Sequence, residues 1–361
     1  MKLIKPSYEI IDIKPRDRVI PDCVELGLEI AREELLNTAY KQIELAGRTC
    51  YKSTPKYVYF ETVKSNGINI KTQIDPIFDG EKAIKSAEDR FNNGDKSIER
   101  YSTSAKDFVD RMIASGHNAM LEFGTIYLHF PSDCDRSLYH RVENYKNNPY
   151  SQIRYAFDKN KHPIHGDTSY YITTNLRVLV ENDWLEDLKY ICEPTEYHEK
   201  RVHVKFITDR GISHELVRHR VFSFAQESTR YCNYSKGKFD GELSFIIPTW
   251  WVTEPQTIPT GHIGIMDVHT IETMGRHAPQ LHLIDMLHSS EIHYLQLIRN
   301  GMKPQDARQV LPNALKTEIN MCGFTSDWKH FFELRDSSNA HPDMQALVAP
   351  LHKEFKDKEY V

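Results

Sequence analysis

The chain of 361 residues contains no run of about 18 consecutive apolar residues, so no helix of it is expected to cross a bilayer. It carries no large charge of either sign. Lys and Arg number 46 against 51 Asp and Glu, a net of −5, so no global field draws the molecule to nucleic acid or to an anionic membrane, and any anion site must be local. The six cysteines (23, 50, 134, 192, 232 and 322) form no CxxC pair and no Cys/His zinc spacing. Reduced, mostly buried thiols are the expectation, with no metal centre. The 18 histidines do not alter this: His277, His282, His288 and His293 fall on one predicted helix at intervals of five and six and share no face. There is no GxGxxG or Walker pattern, no internal repeat and no low-complexity segment. The opening MKLIKPSYEIIDI sets Lys and Pro where a secretory signal needs an unbroken apolar region, which gives the expectation of a cytoplasmic protein.

What is present is an ordinary globular composition, 40% hydrophobic and 27% charged, on a chain long enough for one elaborated domain or two. YEIIDI (8–13) reads as a strand and 23–47 as a helix, its apolar residues recurring at three and four. Asn66-Gly67 between two β-rich runs predicts a hairpin. Residues 75–103 read as polar surface. A helix is expected over 104–116, opened by the capping pair Ser104 and Asp107 and closed by Gly116. TIYLHF (125–130), VHVKFI (202–207) and ELSFIIP (242–248) read as strands, and 131–200 as further hairpins and a helix. Ser213 is the expected N-cap of a short helix from 214 to about 220, with Ile212 stapled to Val217. The C-terminal third reads as helices over 263–299, 304–320 and 327–350. Strands and helices interleave without a βαβ rhythm, so the expected fold class is α/β of the α+β type, a mixed sheet flanked by helices.

The segment RHRVFSFAQESTRY (218–231) sets Arg218, His219, Arg220 and Arg230 within thirteen residues, with Ser and Gln between and one acid, Glu227. Cations can complement the C-terminal end of a preceding helix, which accounts for one or two of them. Ser228 and Arg230 on a turn-like segment suit a phosphate better, since a hydroxyl and a planar guanidinium can meet the same anion. Arg308 in ARQVLP and Arg335 in HFFELR sit beside strongly apolar residues, either as snorkelling surface cations or as guanidiniums held against an apolar wall. His117 and Glu122 bracket a helix end and a strand start.

RHR, seven residues, Ser228 and then Arg230-Tyr231 resemble the signature of the flavin-dependent thymidylate synthases. AGRTCY (46–51), GHNAMLEF (116–123), ARQVLPNALKT (307–317) and HFFELR (330–335) agree in order. The resemblance covers about 20–53, 104–130, 201–248 and 265–350, so 54–103 and 131–200 read as insertions in a single catalytic domain spanning 1–361. It implies a mixed α/β fold assembled as a homotetramer, with FAD and dUMP bound where subunits meet. The implied reaction methylates dUMP to dTMP with methylenetetrahydrofolate and NADPH as co-substrates and no cysteine nucleophile.

Position by position, the resemblance puts Arg218, His219, Arg220, Cys50, His117, Ala119, Gln226 and His330 beside FAD. It puts Glu215, Arg218, Gln226, Glu227, Ser228, Thr229, Arg230, Arg308 and Arg335 around dUMP, with Ser228 and Arg230 directed at the phosphate. Arg335 matches the arginine that polarises N3 of the uracil, and with Ser228 and Arg230 makes up the catalytic set. The sequence departs from the pattern at Glu215 and Gln226, where the family often has Gln and Glu, as though the pair had exchanged places. Phe324, Ser326 and His330 stand where Asn, Arg and Asn often touch FAD. Two other readings remain at this level: a flavoenzyme acting on another pyrimidine nucleotide or one-carbon group, and a single-stranded nucleic-acid-binding module using Arg218-His219-Arg220 and the Tyr-, Arg- and Lys-bearing stretch around 139–171. The acidic balance and the absence of a basic stripe count against the second.

Overall fold

In this computed structural model the described residues are 1–13, 24–53, 58–63, 69–74, 100–102, 105–131, 137–157, 168–251 and 279–361. Strands β1 (Lys2–Ile4) and β2 (Ser7–Ile11) open the chain, the second on the YEII alternation. Helix α1 (Val24–Tyr51) carries Ala39, Ile43 and Ala46 on its buried face and runs past the expected end. The predicted hairpin forms from β3 (Val58–Val63) and β4 (Asn69–Ile74), with Val63 opposite Asn69. Its Asn66-Gly67 turn lies outside the described residues. β5 (Arg100–Ser102) pairs with β3, so part of the stretch read as polar surface is a strand. α2 (Ala105–Ala114) is followed by Gly116 at φ +69°, the left-handed stop its sequence position predicts, while Ser104 lies outside the described residues.

β6 (Thr125–Phe130) alternates half-buried and buried as expected. α3 (Ser137–Lys146), β7 (Gln152–Phe157) and β8 (Thr168–Asn175) supply the helix and hairpin expected within 131–200. α4 (Leu176–Glu181) starts where the Asn175 side chain accepts from the Val178 N–H. β9 (Arg201–Asp209) follows, with Val202, Val204 and Phe206 buried on one face.

The next helix, α5 (Arg210–Leu216), begins earlier than its sequence predicts. Asp209, not Ser213, is the N-cap: its carboxylate accepts the Ile212 N–H at 2.8 Å, and Ser213 lies inside the helix, donating back to the Arg210 carbonyl at 2.9 Å. Val217 is the C-cap and is exposed, so it staples nothing, and Arg218, His219 and Arg220 fall beyond the helix end. β10 (Ser223–Gln226), β11 (Ser244–Ile246) and α6 (Pro279–Arg299) come next, with 263–278 outside the described residues.

The largest correction concerns 304–320. A short helix, α7 (Pro304–Ala307), and one 3₁₀ turn at Arg308–Val310 give way before Pro312, and Lys316–Phe324 is strand β12 rather than helix. Eight of its nine residues are buried, so no alternation of apolar and polar residues marks it as a strand. The expected helix over 327–350 is two, α8 (Thr325–Arg335) and α9 (Pro342–Asp357), the second restarting at Pro342 with His341 as its cap.

The chain divides into two compact units. The first comprises Met1–Ile10, Thr49–Lys52 and Val204–Val361. Its main sheet has the order β10-β12-β9-β2, and β1 and β11 form a separate parallel pair. An aromatic core of Trp328, Phe222, Phe331, Phe332 and Phe355 ties α8 and α9 together, with Trp328 5.1 Å from Phe355 and 4.9 Å from Phe222. The second unit comprises Ile11–Arg48 and Ser53–His203, with sheets β6-β8-β7 and β4-β3-β5. Both stretches that read as insertions fall in it. The α+β class expected from the sequence is the one observed. No helix among the described residues is long and apolar enough to cross a membrane.

Gly323 in β12 is where backbone and ring meet most closely. A Cβ there would lie 2.4 Å from the Phe222 ring. Gly323→Ala is expected to cost about 1–3 kcal/mol through displacement of that ring, read as a lower urea midpoint with an unchanged slope.

Candidate functional site

Arg335 stands in the last turn of α8 and reaches the end of α5. Its Nη1 donates to Glu215 Oε2 at 2.6 Å, its Nη2 to the Glu215 carbonyl at 3.1 Å, and its Nε to His219 Nε2 at 2.9 Å. Three bonds to two residues fix the plane of the guanidinium, yet one N–H on each terminal nitrogen stays uncommitted. The sequence signals for Arg335, Glu215 and His219 lie 120 residues apart at the extremes, and one turn of structure brings them together.

The bond from Nε decides the chemistry of His219. Its Nε2 must be the acceptor, so the ring is neutral and carries its proton on Nδ1. Burial, then the Arg335 charge and then His330, push its pKa down to about 4. The ring also packs edge-on against Phe331 at 4.9 Å, which seats the Arg-His-Arg segment on α8. Because the folded-state pKa lies below the ordinary 6.5, the unfolded chain takes up the proton first on acidification. Stability is therefore expected to fall as pH drops from about 6.5 toward 4, with no contribution from His219 above that window. His219→Gln should flatten this part of the profile in urea titrations run at each pH.

Ser228, Thr229, Arg230 and Arg308 form another group in the same unit. Arg308 Nη1 donates to Thr229 Oγ1 at 3.3 Å. Ser228 Oγ accepts the Arg230 N–H at 3.3 Å, and the Ser228 N–H donates to the Cys50 carbonyl at 3.0 Å, which pins the loop to the end of α1. The exposed Arg230 guanidinium lies 5.3 Å over the Tyr231 ring, itself 5.2 Å from Tyr51. Gln226 donates its amide to Ser213 at 2.8 Å and Thr317 at 3.2 Å, so Gln226 bonds to hydroxyls while Glu215 bonds to Arg335.

Glu227 turns inward. It is 2% exposed and accepts from the Tyr234 hydroxyl and from Lys316 Nζ, both at 2.9 Å. Lys316 also meets Glu318 at 2.6 Å, Lys205 meets Glu318 at 2.8 Å, and Lys52 contacts Glu318 and lies 3.7 Å from Glu227. Sequence reasoning missed this network. Its signal was Lys316 and Glu318 two apart, which share a face only in a strand, and the segment reads as helix.

Arg218 and Arg220 are exposed on either side of His219, and His330 is exposed on α8. The Cys50 thiol is pushed up to about 11 by burial, which favours the protonated form at neutral pH. His117 and Ala119 belong to the other unit, where both are exposed at the 3₁₀ turn Asn118–Phe123.

Residues 193–358 match the family described as thymidylate synthase complementing protein. The chain is similar to proteins named flavin-dependent thymidylate synthase. That of Corynebacterium efficiens is 30% identical over 149 residues, 41% of this chain and 54% of the relative. That of Corynebacterium glutamicum is 30% identical over 140 residues (38% and 50%), and that of Mycobacterium tuberculosis 28% over 143 (38% and 50%). The chain thus spans about half the length of these relatives. The family match contains Glu215 through Arg230, Arg308 and Arg335, and leaves Cys50, His117 and Ala119 outside it. Through residues 193–358, the chain is similar to the thymidylate synthase complementing protein family.

Proposed function

We propose that the protein is an FAD-dependent thymidylate synthase that methylates dUMP to dTMP, with methylenetetrahydrofolate as one-carbon donor and NADPH as reductant. The observation that carries this reading is the Arg335 guanidinium held by Glu215 and His219 with an N–H on each terminal nitrogen left for a ligand. Uracil C5 is a poor carbon nucleophile until negative charge builds on N3 and O4. A guanidinium already oriented stabilises that charge as it develops without reorganising. His219, neutral over the working pH range, adds no second positive charge beside it. The apolar faces of Phe222 and Phe331 near His219 reduce water around the pair.

Ser228 and Arg230 are the phosphate-directed residues in this reading, with Thr229 and Arg308 bracing that loop. Glu215, Arg218, Gln226 and Glu227 complete the surroundings of the nucleotide, Glu227 by holding the loop from within. The donor set suits a flavin dinucleotide: Arg218 and Arg220 are exposed cations flanking a neutral imidazole, matched to a pyrophosphate. Within this unit Cys50, Gln226 and His330 would hold the remainder, and FAD supplies the reducing equivalents when bound; His117 and Ala119 are assigned to FAD by the resemblance alone. The proposal extends to a homotetramer and to one catalytic domain over 1–361, with 54–103 and 131–200 as additions.

The test is tritium release from [5-³H]dUMP with methylenetetrahydrofolate and NADPH, on yellow, FAD-loaded protein. Release that requires both co-substrates is expected. Protein that takes up no FAD and releases no tritium defeats the proposal. Glu215 at a position where the family often has Gln favours one second reading, the same chemistry on another pyrimidine nucleotide. Competition of dUMP with dCMP and UMP in that assay separates the two.

A further inference from the structure

The first unit also holds a cavity of about 210 Å³ that shares no lining residue with Ser228, Thr229, Arg230 or Arg308. Four lysines and three carboxylates line it, and the lysines are Lys2, Lys52, Lys238 and Lys316. On one side Lys2 is satisfied by Asp240 at 2.6 Å and Glu242 at 3.0 Å. On the other side the charges do not balance. Three ammonium groups, Lys52, Lys205 and Lys316, converge on two carboxylates, Glu227 and Glu318.

Lys238 adds to this surplus. It faces no carboxylate among the described residues and donates only to the carbonyls of Tyr51 and Lys52, at 3.2 and 3.1 Å. Lys52 holds an unusual backbone for its residue type: φ is +46°, the left-handed conformation that glycine adopts freely and other residues adopt at a cost. A lysine kept there directs its ammonium into the cavity instead of ending α1 without strain. Burial, and after it the Lys316 ammonium, lower the Lys52 pKa, whereas Glu227 and Glu318 raise that of Lys316 against its burial. Ser244 adds a hydroxyl to the lining. Clustered ammonium groups with a hydroxyl, and no guanidinium fork, bind a tetrahedral oxyanion as point charges.

We propose that this cavity binds a phosphate group, free or carried on a small phosphorylated molecule, through Lys52, Lys238 and Lys316 with the Ser244 hydroxyl as a further donor. The site is separate from the nucleotide-binding loop and does not depend on the reaction proposed above.

The experiment titrates the full-length protein with inorganic phosphate against chloride at constant ionic strength, following the melting temperature and the ³¹P line width. Saturable stabilisation is expected, absent with chloride. Lys238→Gln and Lys52→Gly, the latter also relieving the backbone at φ +46°, should each weaken it about tenfold, since each removes a charged hydrogen-bond donor. Arg230→Ala, which acts at the nucleotide-binding loop, should leave the lysine-dependent part of the shift in place. Ribose 5-phosphate in place of phosphate distinguishes the sources, tighter binding indicating a phosphomonoester and weaker binding the free ion. The proposal is overturned if wild-type protein shows no phosphate-specific shift, if both lysine variants keep wild-type affinity, or if Arg230→Ala alone abolishes the effect. Tritium release from dUMP by the same preparation reports the catalytic reading independently, so the failure of one leaves the other standing.

Discussion

Under the proposed function, Arg335→Ala is expected to lower turnover of dUMP about 100- to 1,000-fold, the loss of about 3–4 kcal/mol that follows removal of one preorganised donor from a site of developing negative charge. The expectation rests on how the side chain is held. Three of its five N–H groups are committed to Glu215 and His219, so its direction is set before any ligand arrives. Arg335→Lys should rescue little, because an ammonium cannot reproduce the planar fork that meets Glu215 on one edge and His219 on another. Tritium release at saturating dUMP measures the effect, with nucleotide affinity measured separately. A collapse in turnover with affinity changed only modestly places the interaction in the transition state. Turnover within tenfold of wild type would remove Arg335 from the chemistry.

Glu227→Ala should produce the largest loss of stability of any single change in the polar core. Glu227 is almost fully enclosed and serves Tyr234 and Lys316 at once. Its removal leaves three ammonium groups around Glu318 alone and strands the Tyr234 hydroxyl in a buried position. Breaking a buried ion pair from one side costs roughly 3–5 kcal/mol, and the partial exposure of Lys52 and Lys316 argues for the lower end, about 3 kcal/mol. Glu227→Gln should cost less, since an amide oxygen still accepts from Tyr234. Urea unfolding monitored by tryptophan fluorescence is the measurement, and a loss under about 1 kcal/mol shows that the network is not a structural keystone. Glu318 is expected to resist protonation far longer than an ordinary carboxylate: burial pushes its pKa up, but Lys316 and Lys52 together hold it well below the usual range.

The elements legible in the sequence were those with a local signature. β6 alternates, α2 ends at a left-handed glycine, and the β3–β4 hairpin follows its Asn-Gly pair. The short-range grouping of Arg218, His219, Arg220, Ser228 and Arg230 was legible for the same reason, since its members lie within thirteen residues. β12 was not. A strand flanked by strands on both sides buries both faces, so its apolar residues show no period of two and its segment LKTEINMCGF reads equally well as helix. The cap of α5 was missed because Asp209 and Ser213 are both good caps, and which one serves depends on where β9 ends.

By itself, then, the amino-acid order determined the α+β frame and singled out the candidates for the chemistry: a cationic segment with a hydroxyl in it and two distant arginines. Only the tertiary structure decided what those residues do to one another. It gave Glu215 to Arg335 and Gln226 to Ser213, made His219 an acceptor, and sealed Glu227 among lysines. The physical reason is that a hydrogen bond or an ion pair needs partners within a few ångströms, and separations of 89 to 120 residues along the chain leave no trace of that proximity in local pattern.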